Sequence, residues 1–176
     1  MGVALLAAAA LLFYAHGYVH NQVADQLTQQ QIAFPAAGSE GITSLPAAEQ
    51  AVIAQYAGQK MTTGAQAKAF ADHYIKVHLS EVAGGQTYAQ VSAKSLANPS
   101  DQKLAGQVQT LFRGETLRGL LLNAYAFDTM AGLAWIAAWI STAAGVLLLL
   151  LAGLGLRHAR HEPVAALSPP RVAAAV

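Results

Sequence analysis

The chain has 176 residues, of which 55% are hydrophobic and only 11% charged, with a mean hydropathy of +0.37. Soluble domains carry about 25% charged residues, so part of this chain is expected to lie outside water. A net charge of +1 gives no electrostatic case for nucleic acid, and the absence of cysteine excludes disulfides, thiolate nucleophiles, iron–sulfur clusters and c-type haem attachment.

Residues 1–20, "MGVALLAAAALLFYAHGYVH", read as a first transmembrane helix. No Lys or Arg precedes the apolar run and no convincing small-residue cleavage site follows it, so an uncleaved anchor is expected rather than a signal peptide. Tyr14 and Tyr18 suit the outer aromatic belt of that anchor. Only about 14 residues, or roughly 21 Å of helix, separate the belt from Met1, short of the ~30 Å hydrocarbon core. The natural chain is therefore expected to begin upstream with a basic stretch; intact mass of the native protein showing Met1 as its start would sink that expectation.

His16 and His20 lie four residues apart. On a helix they point about 40° apart on one face, the geometry of a paired ligand set. A metal site needs further ligands, and residues 129–156 contain no His, Cys, Asp or Glu; Met130 would be only a soft substitute. No cofactor is expected, and a metal or haem at His16 and His20, completed from another chain or a loop, is the alternative. The simpler reading is that interfacial helices carry Tyr and His with polar tips toward headgroups.

Residues 21–128 read as an extracytoplasmic helical domain, entered by a helix continuing through "NQVADQLTQQQ". A loop at 32–46 follows, marked by two prolines and two glycines in "FPAAGSEGITSLP". Thr63 with Gln66, and Thr87 with Gln90, fit capping boxes, while Gly58 and the Gly84 and Gly85 pair supply left-handed helix stops. From about 64 to 82, Ala67, Phe70, Ala71, Tyr74, Ile75, Val77, Leu79 and Val82 form a wide apolar stripe. Asn98 reads as a helix cap, with Pro99 at the first helical position and Asp101 favouring the dipole. The last long helix shows Leu104, Val108, Leu111 and Phe112 on one face, with a kink expected near Gly114 or Gly119. About five helices result, forming a small bundle on two membrane legs.

Within this domain His73 and His78 point about 140° apart and do not converge, which suits surface and half-core positions. Glu115 and Arg118 read as an i, i+3 ion pair, and with Arg113 they are candidates for gripping a partner or a lipid phosphate. No phosphate loop, nucleophile elbow, zinc-protease motif or usefully spaced carboxylate pair is present, and no catalytic residue is nominated.

Residues 129–156 carry no charge and form the second transmembrane helix, long enough to cross with room to spare. Trp135 and Trp139 suit its outer belt, and Arg157 and Arg160 in "RHARH" place its far end in the cytoplasm. His158 and His161 belong to that basic tag, with headgroup contact as their role. Ala137, Ser141 and Gly145 repeat small residues every four positions, a helix-packing pattern whose partner is either alanines 7–10 or another subunit. Residues 157–176 read as a disordered cytoplasmic tail.

The expected fold is all-α: two transmembrane helices flanking an extracytoplasmic helical bundle, with both termini cytoplasmic. The stretches "TTGAQAKAFADHYIKVHL", "TYAQVSAKSLANP" and "GQVQTLFRGETLRGLLLNAYAF" resemble a family of small actinobacterial two-pass membrane proteins of unknown function. That resemblance covers most of the chain and implies a bacterial plasma membrane protein with an external helical domain. It brings no catalytic residues, and the family's basic N-terminal extension is missing here. The expected role is a non-catalytic accessory or scaffold subunit of a larger membrane complex of respiratory or transport type. Its partners would be membrane lipids and other integral membrane subunits, without nucleic acid. The alternatives are an extracytoplasmic sensor or ligand-binding protein, and a metal or haem subunit using His16 and His20.

Overall fold

The computed structural model describes residues 1–161, and the rest of the expected tail, 162–176, lies outside the described residues. The chain is mostly helical, and the one β-type pairing among the described residues is an isolated bridge between Ala33 and Lys60. Two helices, α1 (Gly2–Gln30) and α7 (Gln102–His161), are long and apolar enough to cross a membrane. Between them come a single turn α2 (Glu40–Thr43), α3 (Ala47–Ala54), α4 (Gly64–Phe70), α5 (Lys76–Ala83) and α6 (Tyr88–Ala97).

α1 runs 29 residues without a break, so the polar "NQVADQLTQQ" is the last third of one helix with the apolar run. It stops at Gln31, whose backbone adopts the left-handed conformation at φ 53° and whose N–H closes on the Thr28 carbonyl. The loop that follows is zipped to the stretch after α3. Phe34 N–H donates to the Gln59 carbonyl at 2.9 Å, Met61 N–H to Ile32 at 2.8 Å, and Gly58 N–H to Pro35 at 3.0 Å. The zipper pushes Phe34 inward, where its ring meets Tyr56 at 5.1 Å and Phe70 at 5.2 Å.

Both capping boxes are formed: Thr63 with Gln66 opens α4, and Thr87 with Gln90 opens α6. α4 and α5 are one continuous rod joined by a π-helical turn at Ala71–Ile75. That turn accounts for the width of the apolar stripe. Ala71 and Leu79 are eight residues apart, so in a regular α-helix they would diverge by about 80°. Absorbing one extra residue in the wide turn brings them back toward the same neighbour. Ala71 then joins a core with Val23, Leu27, Phe34, Ile53, Phe70 and Leu121, while Leu79 joins a second with Ala83, Val91 and Leu111. Burying each large aliphatic side chain there contributes about 1.5–3 kcal/mol.

α7 is a single rod of 60 residues and serves both cores. Its start differs from the sequence reading. Asn98 ends α6, with its side-chain amide on the Lys94 carbonyl, and Asp101 is the cap of α7, accepting the N–H groups of Lys103 and Leu104, each at 3.0 Å. No break occurs at Gly114 or Gly119. Gly114 is instead the place where Leu79 seats, since a Cβ there would stand 2.3 Å from the Leu79 methyl. At the other end α7 carries on through Arg157 to His161, which the sequence reading assigned to the tail.

The two long helices run antiparallel. Among the buried residues of α1, Gly2, Ala9 and Val23 are spaced in sevens and multiples of seven, as are Ala131, Ala138 and Gly145 among those of α7. A seven-residue repeat is the signature of a shallow left-handed pairing. Small residues bring the axes close: a Cβ on Gly145 would lie 3.0 Å from both the Gly2 carbonyl and the Leu6 side chain.

Candidate functional site

The most organised polar cluster sits half-way along the α1–α7 seam. His16 and His20 face α7, and each donates its Nδ1 hydrogen across it. His16 donates to the Ala131 carbonyl at 2.9 Å, and His20 to Asp128 Oδ1 at 2.8 Å. Both acceptors lack a proton to offer, so both rings carry hydrogen on Nδ1 and turn Nε2 the other way. The rings stack with centroids 5.8 Å apart and planes 19° apart.

Asp128 is the junction of three elements. Its Oδ1 accepts the His20 Nδ1–H, and its Oδ2 accepts the Gly64 N–H at 3.0 Å. Gly64 is the first residue of α4, where unpaired N–H groups and the positive end of the helix dipole favour a carboxylate. The approach requires glycine: a Cβ on Gly64 would fall 2.5 Å from the Asp128 Cβ. Asp128, which the sequence reading used only as the boundary before an uncharged run, thus ties α1 and α4 to α7.

The arrangement has two chemical readings. An imidazole that gives Nδ1–H to a carbonyl or carboxylate is the pattern around metal-bound histidines. Yet one ion bound by both Nε2 atoms at about 2.1 Å needs them within roughly 4.2 Å of each other. The ring centroids lie 5.8 Å apart, and both Nδ1 atoms are already engaged with α7. As it stands, the pair works as a clasp between helices, and no group of three or more metal-ligating side chains exists among the described residues.

A second polar chain runs up the α4–α7 face. Lys68 Nζ meets Asp72 Oδ2 at 2.5 Å and stands 5.4 Å over the Tyr125 ring, and Arg118 reaches Asp72 Oδ1 at 3.1 Å and Glu115 at 3.3 Å. Burial pushes the Asp72 carboxyl up, but hydrogen bonds and charge from Lys68 and Arg118 outweigh it and hold Asp72 below the ordinary carboxylate value. The hydrogen bond to Asp72 likewise raises the Lys68 amine. Arg118 therefore points into the molecule toward Asp72, while Arg113 is exposed. The i, i+3 partner of Arg118 was legible in the sequence; Asp72, 46 positions away, was not.

Tyr14 and Tyr18 are exposed and stacked 6.2 Å apart. Trp135 and Trp139 are half-exposed, also 6.2 Å apart, and Phe13 of α1 meets the edge of Trp139 at 5.4 Å. Gly145 is buried in the seam, whereas Ala137 and Ser141 are half-buried beside it. Arg157 and Arg160 lie on the last turns of α7, beyond the end of α1. His73 pairs with Glu49 of α3, and His78 donates Nδ1–H to the Tyr74 carbonyl at 2.8 Å, so each is used separately.

Beside the seam, α1 and α7 leave an open groove of about 530 Å3. Val23, Leu27 and Ala124 form its floor, Gln22, Gln26, Gln30 and Asn123 its amide-lined walls, and Tyr18 and Phe127 its aromatic end; no lining residue is charged. The sequence reading ran a helix through Gln22, Gln26 and Gln30 but nominated none of them. No family model matches the chain, and no curated protein or solved structure matches it either.

Proposed function

We propose that the protein is a non-catalytic accessory or scaffold subunit of a larger bacterial plasma membrane complex, of respiratory or transport type. In this reading α1 and α7 cross the membrane with both termini in the cytoplasm, and the helices between them form an extracytoplasmic domain. The observation that carries it is continuity: α1 and α7 pass unbroken from the apolar segments into the polar domain. The domain is thereby held rigidly above the bilayer, with an uncharged groove along its stalk. Such a stalk suits a part that positions other subunits, and Arg157 and Arg160 at the far end of α7 suit a cytoplasmic anchor. The resemblance to two-pass actinobacterial membrane proteins points the same way. Partners in this reading are lipids and integral membrane subunits.

Affinity purification of the tagged protein from native membranes in mild detergent, with mass spectrometry of what co-elutes, tests the proposal. A defined set of larger subunits in stoichiometric amounts supports it. A chain that elutes alone, or only with copies of itself, removes it in favour of the ligand-binding alternative.

A second reading, a metal or haem subunit, is favoured by the Nδ1 bonds of His16 and His20, which leave both Nε2 atoms directed away from α7. Stoichiometric metal or a haem spectrum that is lost in the His16→Ala, His20→Ala variant would establish it; a variant keeping its full cofactor would end it.

A further inference from the structure

The rod formed by α4, the π-helical turn and α5 changes neighbours part-way along its length. Around the turn it is pinned: Asp72 pairs with Lys68 and Arg118, His73 pairs with Glu49, and Tyr74, Ile75 and Val77 pack on the first core. From Leu79 onward it belongs to the second core, which has four buried residues, Leu79, Ala83, Val91 and Leu111, against eleven in the first. Among the described residues no ion pair joins residues 79–97 to α7, and the one hydrogen bond across runs from Gln107 Nε2 to the Val82 carbonyl at 2.9 Å. We infer that residues 79–97, the end of α5 with α6, form a lid on the N-terminal end of α7 that opens as one unit, hinged just after the π-helical turn and latched by Leu79 on Gly114.

Length makes the opening cooperative. α5 has eight residues and α6 ten, and helices shorter than about 12–15 residues are marginal in water on their own. Each is therefore helical only while it packs on α7, and a lid that leaves α7 unfolds as it goes. A segment held by so few buried apolar side chains sits at the low-stability end of a fold. Gly84 and Gly85, left-handed at φ 58° and 76° with open space around them, join α5 to α6 without a side chain that braces one against the other. On the near side, the π-helical turn replaces the regular ladder, with the Lys76 N–H on the Ala71 carbonyl, and its own side chains stay anchored to α3 and α7. Fraying that starts in the lid thus stops there and leaves α4 in place. The latch is a close fit: Leu79 fills the space where a Cβ on Gly114 would stand, 2.3 Å from its methyl. Opening uncovers Leu104, Val108 and Leu111, an apolar stripe at helical spacing on α7.

Hydrogen exchange of the full-length chain in detergent, read by mass spectrometry, tests the lid. Peptides from residues 79–97 are expected to share one exchange rate, at least about tenfold faster than peptides from α4 and from residues 115–125 of α7. Gly114→Ala drives a methyl into the Leu79 seat and is expected to speed exchange throughout 79–97 at least about fivefold while leaving α4 unchanged. Gln107→Ala removes the polar tie and spares the apolar seat, and is expected to speed the same residues by about fivefold. That second variant keeps the lid testable if Gly114→Ala fails to fold. Exchange in 79–97 no faster than in α4, unequal rates on the two sides of Gly84 and Gly85, or variants that speed α4 as much as the lid would each overturn the inference.

Discussion

Asp128 shows how much a single side chain holds. It closes an uncharged run on one side and receives a histidine and a helix N-terminus on the other. Asp128→Ala leaves the Gly64 N–H and the His20 Nδ1–H without their acceptor, and a loss of about 1–3 kcal/mol is expected in thermal unfolding followed by circular dichroism. Gly64→Ala, which places a methyl 2.5 Å from the Asp128 Cβ, is expected to cost about the same through overpacking and to separate α4 from α7. Asp72 contributes a pH dependence. Its folded value is depressed below the ordinary 3.8, so its contribution is complete above that value and is lost as pH falls through the lower, folded one. A melting temperature that drops below about pH 4 in the parent, and less so in Asp72→Asn, is the expected result. Lys68 is raised above 10.5, so its contribution is complete below that value and fades only as pH rises through the higher, folded one.

At the scale of elements, the seam between α1 and α7 depends on having little in it. Gly2, Ala9, Ala138 and Gly145 are buried because their small size lets the axes close. Gly145→Leu drives a side chain into the Gly2 carbonyl and Leu6, so it is expected to destabilise the pairing by about 1–3 kcal/mol. Gly153→Leu, with open space around it, is expected to be silent in the same unfolding measurement. The start of α7 gives a second comparison. Asp101→Ala removes the acceptor of two N–H groups and is expected to cost about 1 kcal/mol, while Asn98→Ala, which loses one bond at the end of α6, costs less. The sequence reading named the wrong residue of the two because Asn98 before Pro99 is a sound N-terminal pattern locally. Which carboxyl or amide meets the helix depends on how the turn between α6 and α7 folds, and spacing does not report that.

For the whole molecule, the layout is a long antiparallel pair with the remaining helices gathered on one flank of α7, leaving the other flank to the groove. In the proposed orientation, the end of α7 near Ser100 lies outside the membrane and the Arg157 end inside. A cysteine at Ser100 is expected to react with an impermeant maleimide on intact cells, and one at Ala159 only after the cells are opened; the reverse pattern would invert the proposed topology.

Composition, apolar run lengths and caps determined on their own that the chain is helical, that two helices are long and apolar enough to cross a membrane, and where α4 and α6 begin. These are local properties, decided by transfer free energies and by hydrogen bonds between residues a few positions apart. The histidine pair was visible, since one helix carries it. What it binds was not, because Asp128 and Ala131 lie more than a hundred positions further on. The same holds for Arg118 on Asp72, for Gly64 under Asp128, and for the π-helical turn that re-phases one apolar stripe to serve two cores. Only the tertiary structure decided these, because each depends on the register in which α1 and α4 lie against α7, and register is the joint outcome of all their contacts.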